Sequence, residues 1–263
     1  MTDAEHRPEP LTTVVVVPCY NEADRLDIDA FLQFSGPRPW LSFLFVDDGS
    51  TDGTRDLLAA AATRSPDQAR YLVLEQNAGK AEAVRRGLLA AFDEGADLAG
   101  FWDADLATPL REIDVFREQL EGRPQLELVL GSRIRTLGNQ IERKPVRHYF
   151  GRVAATAVSL ILGIPVYDTQ CGAKLMRSTA RVRAIFAAPF ETRWAFDVEI
   201  LARWLINVRA AGETSVERGI VEIPVSRWID IAGSKLRARD FVGAPLDIWR
   251  INRRYGRALR QSR

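Results

Sequence analysis

Residues 100–109 read GFWDADLATP, and they set two carboxylates, Asp103 and Asp105, around Ala104 directly after an apolar run that ends in Phe101-Trp102. Two bare carboxylates about 5 Å apart repel by roughly 3 kcal/mol at an effective dielectric of about 20. Such a pair needs a cation or hydrogen-bond donors to hold it. A capping role for Asp105 at the next helix, with Asp103 facing solvent, is the plain account of the pair taken alone. The chemical account is a hard cation: Mg2+ or Mn2+ is typically held by one or two carboxylates plus substrate phosphate oxygens. A cation at Asp103 and Asp105 would screen their repulsion and neutralise charge on a departing diphosphate.

Other groups suited to the same chemistry recur along the first half. Asp47-Asp48 close an apolar run and lead into GSTDGT (49–54). Gly49 and Gly53 there suit a tight turn, and Ser50, Thr51 or Asp52 can cap the following helix. Asp48 is left where a base or ribose could be hydrogen-bonded. NAGK (77–80) stands at a predicted helix start, where backbone N–H groups and the helix dipole favour anions. Lys80 opposes that dipole, which a phosphate or carboxylate filling the gap would explain. The G-x-x-x-x-G-K-[ST] pattern is absent, since Leu74 and Ala81 occupy the positions that need Gly and Ser or Thr. No G-x-G-x-x-G occurs either, which disfavours a dinucleotide-binding enzyme.

The elements that must position these groups alternate as parallel βαβ units do. Strands are predicted over 12–18, 41–48, 71–76, 98–103 and 126–132, with helices from NEADRLDIDAFLQF (apolar at Leu26, Ala30 and Phe34), TRDLLAAAATR and GKAEAVRRGLLAAFDEG between them. The strand ends carry Tyr20-Asn21-Glu22, Asp47-Asp48, 77–80, Asp103-Asp105 and Arg133. In an open parallel sheet ligands bind outside the carboxyl ends of the strands, so five strand ends are expected to converge on one crevice. Beyond Ser132 a basic loop (133–152) leads to an apolar helix over 153–163, then DTQCGAKLMR (168–177), a helix over 194–209, a strand over 219–228 and a helix from about 239 to 259. That last helix places Arg250, Arg253, Arg254, Arg257 and Arg260 at helical spacing beside Phe241, Ile248, Trp249, Tyr255 and Leu259, with no acid after Asp247. A basic amphipathic helix with aromatic residues suits a membrane interface; a solvated helix packed on the domain is the other reading. Pro245 is expected to kink it or to mark its true start.

The 263 residues carry 36 Lys and Arg against 35 Asp and Glu, so the +1 balance argues against nucleic acid as a partner. Cys19 and Cys171 lie far apart, and with only His6 and His148 besides, a structural zinc site or disulfide framework is not expected; a reducing compartment is. Neither histidine is given a role. The opening MTDAEHRPEP does not read as a signal peptide. The longest uncharged stretch, 153–166, falls short of the about 20 apolar residues a spanning helix needs, so the chain is not expected to cross a membrane.

Seven segments taken in order, VVVVPCYNEADRL, FVDDGSTDGT, NAGKAEAVRRGL, WDADLATP, GSRI, DTQCGAKLMR and WAFDVEIL, resemble the family 2 glycosyltransferases of the GT-A fold. Within that family the chain is most similar to the dolichyl-phosphate and other polyprenyl-phosphate glucosyltransferases. The resemblance implies an α/β, Rossmann-like, mainly parallel mixed sheet flanked by helices. It divides the chain into a tail (1–10), a GT-A domain (11–236, nucleotide-sugar half 11–132 and acceptor half 133–236) and a basic amphipathic C-terminal helix (237–263). It implies that Pro18, Tyr20, Asn21, Glu22 and Asp48 hold the nucleoside of a nucleotide sugar, with Lys80 near its phosphates. Asp103, Ala104 and Asp105 become the metal motif for Mg2+ or Mn2+. Arg133 approaches phosphates or sugar, Asp168 and Asp197 line the sugar side, and Arg135, Arg147, Arg152, Ser234 and Lys235 serve the acceptor. Cys19 replaces the family's usual alanine and Ala81 its usual glycine. Many relatives carry transmembrane segments, so attachment of this chain is expected to be peripheral, at the cytoplasmic membrane face.

The family inverts configuration in one displacement, and chemistry then separates two acceptors. A sugar hydroxyl benefits from a positioned base, for which Asp197 is the candidate. A lipid phosphate monoester, with a second pKa near ~6, is already mostly dianionic at neutral pH. It needs cations to hold it, and the arginines of 133–152 suit that demand; Asp197 would then orient the sugar or an arginine. Glucose from UDP-glucose onto polyprenyl phosphate is the leading expectation. Mannose from GDP-mannose, a soluble hydroxyl acceptor, and a nucleotide-sugar-binding protein without turnover are the alternatives.

Overall fold

The computed structural model of the chain describes residues 10–142, 155–213, 215–229 and 238–261. Its centre is a seven-stranded sheet in the order β3-β2-β1-β4-β7-β5-β8. The strands are β1 (Thr13–Cys19), β2 (Leu41–Asp48), β3 (Ala69–Leu74), β4 (Leu98–Trp102), β5 (Leu128–Ser132), β7 (Ala173–Arg177) and β8 (Ile220–Pro224). All are parallel except β7, which runs antiparallel to both β4 and β5. The mainly parallel α/β sheet expected from the sequence is therefore present.

The valine run of β1 shows why such a strand lies centrally. Its side chains alternate between the two faces of the sheet. Val14 and Val16 join Leu44 and Val46 in the core on one side, while Val15 and Val17 join Phe43 and Phe45 on the other. The first core is closed by α3 (Lys80–Asp93) and α7 (Phe196–Ala210), the second by α1 (Ile28–Ser35) and α4 (Glu112–Gly122). Helix α2 (Thr54–Arg64) lies against β2 and β3. Helical residues 155–162 form α5, and α6 spans Ala180–Ile185.

Several boundaries differ from the sequence reading. Helix α1 begins only at Ile28, because Asp27 caps it by accepting from the Ala30 N–H at 3.0 Å. Its core face is Ile28, Phe31, Leu32 and Ser35 rather than the Leu26, Ala30, Phe34 spacing. Strand β3 lies two residues earlier than expected. The strand expected over 219–228 is two: β8 continues the main sheet, and β9 (Arg227–Ile229) leaves it to pair in parallel with β6 (Gln140–Glu142).

Helix α8 (Ala238–Gln261) runs continuously through Pro245. Part of its apolar side packs on the domain: Ile251 and Leu259 are fully buried, and Ile248 and Tyr255 pack on the same core. Trp249 remains exposed.

Candidate active site

Strand β1 feeds β2 on one flank and is paired with β4 on the other, so the chain order reverses beside it. That switch point, at the carboxyl ends of the strands, is where an open α/β sheet presents its ligand crevice.

On the β1–β2 flank the loop 20–26 is laced onto the turn after β2. The Asn21 N–H donates to Ser50 Oγ at 2.9 Å and Asn21 Oδ1 accepts from the Thr51 N–H at 2.8 Å. The Glu22 N–H donates to Thr54 Oγ1 at 2.8 Å, and its carboxylate takes a forked pair of bonds from Arg25 at 2.9 and 2.6 Å. Asn21 holds a φ of 50°, a conformation more accessible to Asn than to most residues. Pro18 and Tyr20 stand half-buried just before it. Asp47, fully buried, accepts from the Ser50 N–H at 2.9 Å and from Arg55 Nε at 3.2 Å.

Asp48 has a more specific task. Its two oxygens accept from the N–H groups of Ala78 and Gly79 at 2.8 and 2.9 Å. Burial pushes its carboxyl up and these two N–H groups act against that. The anion expected at the start of α3 is thus, for these two donors, the chain's own Asp48 carboxylate. Gly79 enters the helix at φ 94°, and a Cβ there would come within 2.9 Å of Arg193 Nε.

The loop that Asp48 clasps delivers Lys80, whose Nζ donates to Asp103 Oδ1. Burial disfavours the ammonium, but Asp103, Asp197 and Asp105 together more than offset it and hold the Lys80 pKa above its ordinary value. Asp105 is pushed up by burial first and by Asp103 second, with the Ala107 N–H (3.1 Å), Lys80 and Arg25 opposing. The turn that carries the two acids is fixed at its ends and within. Trp102 Nε1 donates to the Thr108 carbonyl at 3.0 Å, and Leu106 takes a φ of 56°, uncommon for a residue with a side chain. Across from them, a Cβ on Gly172 would collide with the Asp103 carboxylate. Only a glycine leaves that carboxylate its space.

Two further ion pairs close the crevice. Arg133 grips Asp168 through its N–H (2.9 Å), Nε (2.6 Å) and a terminal nitrogen (2.8 Å), and lies 5.4 Å from the Trp228 ring. Burial lowers the guanidinium pKa but Asp168 more than offsets it, so the net shift is upward. Glu222 supports the pair from behind by accepting from the N–H groups of Tyr167 and Asp168 at 2.8 and 2.6 Å. The second pair is buried: Lys174 Nζ donates to Asp197 Oδ1 at 2.5 Å and to the carbonyls of Thr169 and Cys171 at 2.9 and 2.8 Å. Lys174 is 0 % exposed. Burial pushes the Asp197 carboxyl up, and Lys174 followed by Lys80 holds it down in part.

Asp103 acts electrostatically on Lys80, Asp105, Arg133 and Asp197, which places the expected acids and cations in one cluster. Buried Ala104 separates the two acids, and Arg135 is exposed at the rim. Arg147, Arg152, Ser234 and Lys235 lie outside the described residues, as do residues 1–9 and His148. Lys174, Gly172, Glu222 and Arg193 received no role from the sequence. A lysine between Ala173 and the apolar Leu175-Met176 was the signal for the first of them.

Asp103 and Asp105 fit a hard cation by donor chemistry: two crowded carboxylates, one driven toward its neutral form by burial and its neighbour, with room kept by Gly172. Among the described residues no third carboxylate, cysteine or histidine joins them in a cluster of three. Such a cation would draw its remaining oxygens from substrate and water, as Mg2+ commonly does.

The model of glycosyl transferase family 2 matches residues 14–181, and the chain belongs to that family of enzymes. It is 32% identical over 92% of its length to a dolichyl-phosphate beta-glucosyltransferase of Dictyostelium discoideum, covering 74% of that protein. It is 29% identical over 93% of its length to a dolichyl-phosphate beta-glucosyltransferase of Trichomonas vaginalis, covering 72% of it. Among solved structures, glucosyl-3-phosphoglycerate synthase from Mycobacterium tuberculosis in complex with Mg2+ and uridine diphosphate superposes with a TM-score of 0.62 at 21% identity, over 94% of this chain and 80% of that one. That likeness bears on the fold. No helix among the described residues is long and apolar enough to cross a membrane.

Proposed function

We propose that the chain transfers glucose from UDP-glucose, with inversion, onto a polyprenyl or dolichyl phosphate presented at the cytoplasmic face of a membrane. The observation that carries the acceptor class is the Lys174–Asp197 pair. Asp197, the candidate general base, has its carboxylate bonded to a fully buried ammonium that is itself held by two carbonyls. A base so engaged is poorly placed to strip a hydroxyl, whereas a phosphate monoester, ionised at neutral pH, asks for none. The names of the two dolichyl-phosphate relatives support the same acceptor and the sugar.

In the reaction a phosphate oxygen of the acceptor forms a bond to the anomeric carbon. The bond from that carbon to the nucleotide's terminal phosphate oxygen breaks, and its electron pair leaves with the diphosphate. The loop 20–26 and the turn after β2 form the wall for the nucleoside, and Lys80, held cationic by the surrounding acids, faces the diphosphate. Arg133, oriented by Asp168, and Asp197, oriented by Lys174, flank the sugar. Asp103 and Asp105 would hold Mg2+ or Mn2+, which when bound neutralises charge on the leaving diphosphate. The synthase complex with Mg2+ and uridine diphosphate supports both the cation and the base.

The test is nucleotide-diphosphate release from a panel of UDP- and GDP-sugars, with Mg2+ or Mn2+, with and without polyprenyl phosphate in detergent, and with a chelator. Release is expected from UDP-glucose only when metal and lipid phosphate are both present, and Asp103→Asn is expected to lower it at least about 100-fold. Turnover with GDP-mannose alone would replace the donor. Turnover with a neutral hydroxyl acceptor, or an active Asp103→Asn enzyme, would overturn the acceptor or the metal role respectively.

A further inference from the structure

We propose that the outward stripe of α8 is a docking surface for a bilayer carrying anionic phospholipid. The helix has two faces with different occupants. Ile251 and Leu259 are fully buried, and Ile248 and Tyr255 pack beside them on the core. The opposite side places Leu246, Trp249, Arg250, Arg253, Arg257 and Arg260 within one turn-to-turn stripe, at steps of three, four or seven residues. Leu246 is 49 % and Trp249 53 % exposed, and the four arginines are exposed as well.

Charge decides what such a stripe fits. After Asp247 the rest of the sequence holds six arginines and no acid. Asp247 itself lies off the stripe and pairs with Arg250 at 3.1 Å, while Arg254, on the flank, is 3.4 Å from Glu191. Arg253 is 5.4 Å from the centre of the Trp249 ring, so the indole and the guanidinium are presented together. Phosphate-bearing headgroups match the arginines. An indole and an isobutyl group standing among them find no apolar partner on a nucleic-acid backbone but are matched by the boundary between headgroups and acyl chains. The four-turn basic stripe is long enough to lie along a membrane plane, and no described helix is built to cross one.

The same surface adjoins the crevice. Trp249, Arg250, Arg253 and Arg254 line a groove of about 460 Å3 with Glu191. Two residues further on, a terminal nitrogen of Arg193 reaches Asn77 Oδ1 at 3.4 Å, in the loop that delivers Lys80. A bilayer seated on α8 therefore lies beside the loop that borders the active site. The inference rests on the lipid-phosphate acceptor reading only for its consequence in turnover; the binding itself is testable without acceptor.

The experiment is co-sedimentation of the full chain with vesicles of phosphatidylcholine alone and of phosphatidylcholine with phosphatidylglycerol, neither containing acceptor. The parent chain is expected to sediment with the anionic vesicles, to be released as salt is raised, and to stay in solution with the neutral ones. Near an anionic surface each arginine contributes about fivefold in affinity, so Arg250→Gln, Arg253→Gln, Arg257→Gln and Arg260→Gln together should weaken binding by roughly several hundred-fold. The same variant should turn over a short, water-soluble prenyl phosphate as the parent does and lose rate on acceptor embedded in anionic vesicles. Equal sedimentation with both vesicle types, or an unweakened variant, overturns the docking surface. Absence of turnover with every lipid phosphate, soluble or embedded, overturns the acceptor reading and leaves the sedimentation result standing.

Discussion

Between Trp102 and Thr108 the backbone turns through Leu106 in a left-handed conformation, and the turn brings Asp105 into a partly desolvated place beside Asp103. Sparsely populated backbone conformations of this kind cost of order 1–3 kcal/mol and persist where the surroundings over-determine them. The carboxyl of Asp105 adds to that cost, since burial and then Asp103 raise its pKa. A carboxyl whose folded pKa lies above its unfolded value gives stability that is present below the unfolded value and is lost as pH rises through the folded one. At neutral pH the charged Asp105 therefore destabilises the protein. Asp105→Asn keeps an oxygen for the Ala107 N–H and removes the charge, so it should raise the melting temperature at neutral pH while abolishing turnover. The difference should shrink as pH falls toward the ordinary carboxylate range. Thermal melts of the two proteins across that range test it; a variant that melts lower at neutral pH would remove the idea.

At the scale of elements, β7 shows what the sequence left hidden. The βαβ rhythm and the C-terminal residues of five parallel strands were legible because each strand is an apolar run closed by polar residues, as LSFLFVDD is over 41–48. Strand β7 is five residues long, enters between β4 and β5 in the opposite direction, and carries Lys174 at its second position. A buried lysine masks the apolar pattern by which a central strand is recognised. Its partner Asp197 comes from α7, so the pairing is visible only once the fold has brought 174 and 197 together. Likewise Gly172 reads as one glycine among 18 until the Asp103 carboxylate is seen filling the space of its missing side chain. The assignment of Asp48 to the ligand alone failed to anticipate that its oxygens clasp the loop before α3. Removing one partner of a buried ion pair leaves an uncompensated charge and costs about 3–5 kcal/mol. Lys174→Met should therefore lose about that much stability in denaturant titration, and Lys174→Met with Asp197→Leu should regain most of it. A single variant as stable as the parent would show that the pair does not lock Asp197.

Across the whole molecule the crevice concentrates opposing charge at the carboxyl ends of the central strands. Burial is the first cause of upward shifts at Asp48, Asp105, Asp197 and Glu222, which come from β2, the β4 turn, α7 and β8. All four signs agree: each group stabilises the fold below its unfolded pKa and loses that contribution as pH rises through its raised folded value. The unliganded protein is thus expected to melt higher at mildly acidic pH than at neutral pH. A ligand that brings cations and N–H donors into the crevice acts on the same deficit at neutral pH. Uridine diphosphate with Mn2+, at about 100 times its dissociation constant, should add about 2.7 kcal/mol. For a chain of this size that is a rise of roughly 5–10 °C in melting temperature. A chelator should cancel most of the rise, and Asp103→Asn should not show it. The nucleotide and the metal added singly separate their shares, because a cation held by Asp103 and Asp105 with diphosphate oxygens makes the two additions more than additive. Strictly additive shifts, or a rise that survives the chelator, would place the nucleotide outside this pair of carboxylates.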